Sequence, residues 1–116
     1  MKPPIIVNNF GDVVFFASVA DAEGWLEAID VENNEYVAYD SEGRLVTLGV
    51  VTKQKGFFSG GKRVVVERAE AEPTHALELR NTLVHFFGRV GASKDWLASA
   101  ALEELVKRGI EHHQTK

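Results

Sequence analysis

The stretch EYVAYDSEGRLVTLGVVT, Glu35 to Thr52, decides the fold class. Aromatic and β-branched residues dominate Glu35 to Asp40 and again Leu45 to Thr52, as expected of residues packed on a pleated, half-buried surface. Between the two runs, Ser41-Glu42-Gly43-Arg44 carries turn chemistry, with Gly43 free to take the positive φ that a hairpin bulge needs. A tight turn between two strands makes them antiparallel.

Working outward, Lys62 to Ala69 (KRVVVERA) reads as another strand and VVFFA, 13–17, as a short buried one. Gly60-Gly61 is a two-residue turn signal. If it closes a hairpin, Ser59 lies opposite Lys62, Phe57 opposite Val64 and Lys55 opposite Val66. The alternative is a long loop, with the ladder starting further in. Three helices are expected. Ser18 caps the first, with Asp21 in its first turn and Val19, Ala22, Leu26 and Ile29 on one face, until Asn33-Asn34 end it. The second runs from Pro73 to about Arg89, with Ala76, Leu79, Leu83, Phe87 and Val90 on its apolar side and Gly91 as its stop. Ser93 caps the third, whose face is Leu97, Ala98, Ala101, Leu102, Leu105 and Val106 and which Gly109 stops. The order β-α-β-β-β-α-α implies an α+β domain over 1–116: an antiparallel sheet of about four strands with three helices, placed on one face.

The composition bounds the rest. At 116 residues, 45% hydrophobic and 26% charged, the chain suits one packed domain. With no cysteine there is no disulfide framework or thiolate metal site. The apolar start is short and broken by Pro3-Pro4, unlike a secretory leader, and no run approaches ~20 apolar residues. A cytoplasmic location is expected.

Charge is uneven. Residues 1–45 hold nine acids and two bases, a net −7, whereas 46–116 hold eight acids and eleven bases, a net +3. Glu23, Glu27 and Asp30, at i, i+4 and i+7, would stack along the solvent side of the first helix, each like-charge pair costing ~0.2–0.5 kcal/mol. Glu32 and Glu35 extend the cluster, and Asp40 and Glu42 flank it. Such a surface attracts a basic partner and repels nucleic acid; the same pattern also suits a solvated helix face. Lys53, Lys55, Lys62, Arg63 and Arg68 beside Phe57 and Phe58 form a basic, aromatic hairpin, but a pI near 5.5 is opposite to a nucleic-acid footprint.

No catalytic constellation assembles. Asp40-x-Glu42-Gly43 lacks the alternating ligands of a calcium loop, and His75 and His85 are ten apart, the wrong spacing for a metal pair on a helix. Glu111-His112-His113 reads as a frayed tail. Neither Ser59-Gly60-Gly61-Lys62 nor the Gly88–Lys94 segment has phosphate-loop spacing. No cofactor and no enzymatic activity are expected.

The segments Val14-Phe15-Phe16-Ala17-Ser18-Val19-Ala20-Asp21-Ala22-Glu23, Leu26-Glu27-Ala28-Ile29-Asp30-Val31 and Glu35-Tyr36-Val37-Ala38-Tyr39-Asp40-Ser41-Glu42-Gly43-Arg44-Leu45 together resemble small bacterial immunity proteins. These belong to contact-dependent inhibition, Rhs and related polymorphic toxin systems. Leu77-Glu78-Leu79-Arg80 and Leu102-Glu103-Glu104-Leu105-Val106 are similar in kind. The resemblance implies a non-catalytic protein that binds and neutralises the C-terminal domain of a cognate toxin, often a nuclease with a basic cleft. The expected contacts are Glu23, Glu27, Asp30, Glu32 and Glu35, flanked by Asp40 and Glu42. A protein-binding adaptor or regulatory module is the competing reading.

Overall fold

Ile5, Ile6 and Val7 are all buried, so the first strand must be covered on both sides. That strand, β1 (Ile5–Asn9), is an interior strand in the computed structural model, which describes residues 1–55 and 58–114, side chains excepted at 53–60 and 113–114. It forms a hairpin with β2 (Asp12–Phe16) and pairs on its other side with β3 (Val37–Tyr39). Next come β4 (Leu45–Lys55) and β5 (Phe58–Ala69). The order across the sheet is β2-β1-β3-β4-β5, antiparallel throughout. Among the described residues, five strands therefore replace the expected four.

The helices lie on both faces of the sheet, not on one. Alternation along β1 and β2 explains why. Ile5, Val7 and Phe16 join Ala22, Leu26, Ala38, Val46 and Val64 in one core. Ile6, Val13 and Phe15 join Tyr39, Leu79, Leu83, Phe87, Leu97 and Leu105 in another. A strand with both faces buried reads as an unbroken apolar run, and such a run demands two helical layers. On the first side lie α1 (Val19–Trp25) and α2 (Ala28–Glu32). On the second are α3 (Ala76–Arg89), α4 (Lys94–Ser99) and α5 (Leu102–Gln114).

Among the described residues, five helices thus stand where three were expected. The first expected helix breaks at Leu26–Glu27, both extended, just after Gly24, a poor helix former. The break buries Leu26 but leaves Ile29 62% exposed, so Ile29 is not a core residue. The last expected helix breaks at Ala100, which is buried and extended. Gly109 does not stop α5. It lies inside the helix, in space that the Phe15 ring fills. His112 is accordingly on a helix, edge-on to Phe86, rather than in a frayed tail. Val90, placed on the apolar face by its spacing, is 52% exposed beyond the end of α3.

Gly60 and Gly61 are in β5, not in a turn. Thr52 pairs with Lys62 and Gln54 with Ser59, so one extra residue bulges there, where glycine fits. Val64 consequently faces Val50, and Val66 faces Leu48. Phe57 lies outside the described residues, as do the side chains of Lys53, Lys55 and Phe58.

Local capping agrees with the residues. Ser18 Oγ accepts from Asp21 N at 3.1 Å, and Ser93 Oγ from Trp96 N at 3.4 Å. The β1–β2 loop has only two residues, Phe10 at φ 52° and Gly11 at φ 98°, a type I′ turn in which Asn8 Oδ1 accepts from Gly11 N. Phenylalanine is strained in that conformation, and its ring is 80% exposed. Phe10→Asn is therefore expected to stabilise the fold by about 1 kcal/mol. Urea unfolding checks this; a loss of stability would show that the ring packs usefully.

Candidate protein-binding surface

The interruption of the helix at Leu26–Glu27 disperses the acidic stripe. Glu23 turns inward, and its Oε2 accepts the Val66 N–H at 2.8 Å. Because β5 is an edge strand, this carboxylate occupies a backbone donor that would otherwise invite another strand. Asp30 accepts from the Tyr36 hydroxyl at 3.0 Å. Burial, together with that bond to a carboxylate, raises the Tyr36 phenol above its ordinary range. Glu32 pairs with Lys62 at 2.8 Å across to β5. Glu27 stands exposed with no side-chain capping bond, and Glu35 is half-buried.

Asp40 and Glu42 belong to the turn, not to a free patch. Asp40 is 0% exposed. Its carboxylate accepts from Lys2 N (3.0 Å), Glu42 N (3.0 Å), Arg44 N (2.9 Å) and Arg44 Nη1 (3.2 Å). It has no surface to offer a partner. Burial pushes its carboxyl up, but these donors outweigh that and hold it below the ordinary carboxylate range. Glu42 is exposed and pairs with Arg44 and, at 3.9 Å, with Lys2.

What the fold does bring together is aromatic. Trp25, at the end of α1, is 57% exposed and rests its ring 5.5 Å from that of Phe16. Tyr36, just before β3, shares a cavity with Trp25. Glu27 and Asp30 lie beside the Tyr36 hydroxyl, and Ile29 presents its side chain outward between them in the chain. By helical spacing Ile29 read as a member of the core stripe, with Trp25 beside it. The signal against that reading was Gly24 followed by tryptophan, at a point where a helix would need neither.

The histidines divide. His85 is exposed on α3. His75 Nδ1 is 2.8 Å from Glu70 Oε1, and Glu70 also accepts from Leu45 N, Thr74 N and the Thr74 hydroxyl. Burial opposes ionisation of Glu70, but His75 and these donors bring its pKa down to about 2. Glu70 in turn raises the imidazole above its ordinary value. This network ties the end of β5 to the start of β4 and to the turn that precedes α3. Among the described residues, no group of three His, Cys, Asp or Glu side chains is placed to hold a metal ion, and no helix is long and apolar enough to cross a membrane.

The fold therefore defines an α+β domain with a central antiparallel sheet and helices on both faces. Comparison with family models, curated proteins and solved structures gave no match.

Proposed function

We propose that this chain is a cytosolic, non-catalytic immunity protein that binds and neutralises a cognate toxin domain through the surface built by α1, α2 and the start of β3. The observation carrying this reading is that two apolar side chains, Trp25 (57% exposed) and Ile29 (62%), stand outward in the same α1–α2 segment as the exposed Glu27. Aromatic anchors ringed by polar groups are the usual centres of protein interfaces, and tryptophan is among the residues enriched there. The exposed acids would speed encounter with a basic cleft. Glu23 and Asp40 are engaged within the fold and are not part of this surface.

The reading requires a toxin gene directly upstream, and the test takes the C-terminal domain of that product and measures binding by surface plasmon resonance at low and high salt. Trp25→Ala should weaken binding about 30-fold, as expected for an interface centre losing some 2 kcal/mol. Glu27→Lys with Glu35→Lys should chiefly slow association, and wild-type association should slow as salt rises. Wild-type affinity in both variants would sink the proposal. The competing adaptor reading draws on β2, an edge strand with a ladder partner on one side only. Binding by strand addition there would be nearly indifferent to salt.

A further inference from the structure

β4 outruns the strand beside it. β3 begins at Val37 and pairs only with Leu45 and Val46, whereas β4 continues to Lys55. The chain reaches Val37 from α2, with Glu35 N bonded to Asp30 O, instead of along the lane in front of β3. Among the described residues, no strand pairs with β4 beyond Val46 on that side. A cavity of about 320 Å³ opens there, between Asn34, Tyr36 and Val37 on one side and Val46, Thr47 and Leu48 on the other.

Backbone groups alternate in direction along an antiparallel strand. Asp40 N donates to Arg44 O, and Glu70 N to Leu45 O. Even-numbered residues of β4 therefore aim their N–H and C=O groups at the vacant lane, and odd-numbered ones at β5. Both irregularities in the β4–β5 ladder add their extra residue to β5, so the alternation runs unbroken through Leu48, Val50, Thr52 and Gln54. Such an edge takes another extended strand. The outer edge of β5 is guarded, since Glu23 occupies the Val66 N–H and Lys62, Arg63, Glu67 and Arg68 supply charge. β4 has no such guard: Leu45 to Thr52 contains neither a charge nor a proline.

The edge fits a second copy of itself. About a twofold axis, each copy's β3 blocks the lane at Thr47, so the incoming strand must end there. β4 ends at Lys55. Setting Lys55 of the second copy opposite Thr47 places Val51 on the axis, facing Val51 of the second copy. Val50 then lies opposite Thr52, Leu48 opposite Gln54 and Gly49 opposite Lys53. The Glu67 carboxylate fills the space over Gly49, so this last pair brings opposite charges together. The Val51 pair is of the non-hydrogen-bonded kind, with Cα atoms about 4.5 Å apart. Val51 is 37% exposed, on the side of the sheet where α3 and α5 pack against β2, and the pairing covers it. We infer that the chain forms a symmetric dimer by antiparallel pairing of β4 with β4 of a second copy, joining the two sheets into one. The dimer goes beyond the proposed function and uses none of Trp25, Glu27 and Ile29. One strand pair covers less than the ~1,200 Å² of a standard interface, so the association is weak and concentration-dependent.

Sedimentation of the full chain from micromolar to millimolar concentration should show a rising dimer fraction. Val51→Lys sets two like charges at the axis and should weaken association about tenfold, through lost apolar cover and repulsion. Its unfolding midpoint in dilute solution should stay near wild type, because the side chain is exposed in the monomer. Val51→Cys supplies a second reading. The chain has no other cysteine, and the expected separation suits a disulfide, so mild oxidation should give a covalent dimer. Arg63→Cys, opposite Val51 on β5 and separated from its own copy by two strands, should not. The Val50 and Thr52 amides should gain protection from hydrogen exchange as concentration rises. A chain that stays monomeric at millimolar concentration, a Val51→Lys variant that associates like wild type, or equal cross-linking by both cysteines overturns the inference. So does protection of the Val50 amide only when the toxin domain is added, which would assign the edge to the toxin.

Discussion

Asp40→Ala is expected to lower the free energy of unfolding by about 3 kcal/mol, the scale for removing one partner from a buried, charged hydrogen-bond cluster. The carboxylate is 0% exposed and holds the backbone N–H groups of Lys2, Glu42 and Arg44 as well as the Arg44 guanidinium. With alanine there, three backbone donors lose their acceptor, and the N-terminal segment is left with the Ser41 N–H bond to Lys2 O, 2.9 Å, as its backbone tie to the turn. Asp40→Asn should be milder, since one oxygen remains. The acid limb provides a further check. The folded-state carboxyl lies below its unfolded value, so its contribution is complete above the unfolded pKa of about 4 and is lost as pH falls through the folded one. Urea unfolding of wild type and Asp40→Ala should show a gap that is constant near neutrality and narrows below pH 4. A gap under 0.5 kcal/mol at pH 7, roughly that of an ordinary surface substitution, would contradict this account.

Gly43→Ala is expected to be at least as severe, about 3 kcal/mol, from two sources that act together. Gly43 has φ 92°, in which a side chain is strained. A Cβ built there would also lie 2.3 Å from Ala76 Cα and 2.7 Å from Ala76 N, in the first residue of α3. Backbone cannot swing aside as a flexible side chain does, so α3 would have to lift from the hairpin. The hydrogen bond from His75 N to Gly43 O, 3.0 Å, would open with it. Thermal unfolding gives the magnitude, and faster hydrogen exchange at the His75 amide would place the damage at this joint. Wild-type stability with unchanged exchange would refute the close approach.

Much of this architecture was readable locally. Ser18 and Ser93 announced helix starts, Gly43 and Gly91 announced positive φ, and the aromatic and β-branched runs announced β3, β4 and β5. These signals depend on neighbours within a few residues. The first strand escaped because Pro3-Pro4 and Asn8-Asn9 obscure a short apolar run and because its turn uses phenylalanine where asparagine would be usual. The acidic stripe was read by helical spacing, which holds only while the helix continues. Once α1 stops at Trp25, Glu23 reaches the β5 edge, Asp30 meets Tyr36 and Glu27 faces solvent.

By itself, then, the sequence determined the class of domain, most turns and caps, and the excess of carboxylate in its first 45 residues, since these follow from residue chemistry and short-range geometry. Only the tertiary structure decided which carboxylates are internal hydrogen-bond acceptors and which remain free, that both faces of the sheet are covered, and that Trp25, Tyr36 and Asn9 enclose a cavity. The reason is physical. A charged or aromatic side chain takes its role from what burial leaves beside it, and those neighbours come from strands and helices far away in the chain.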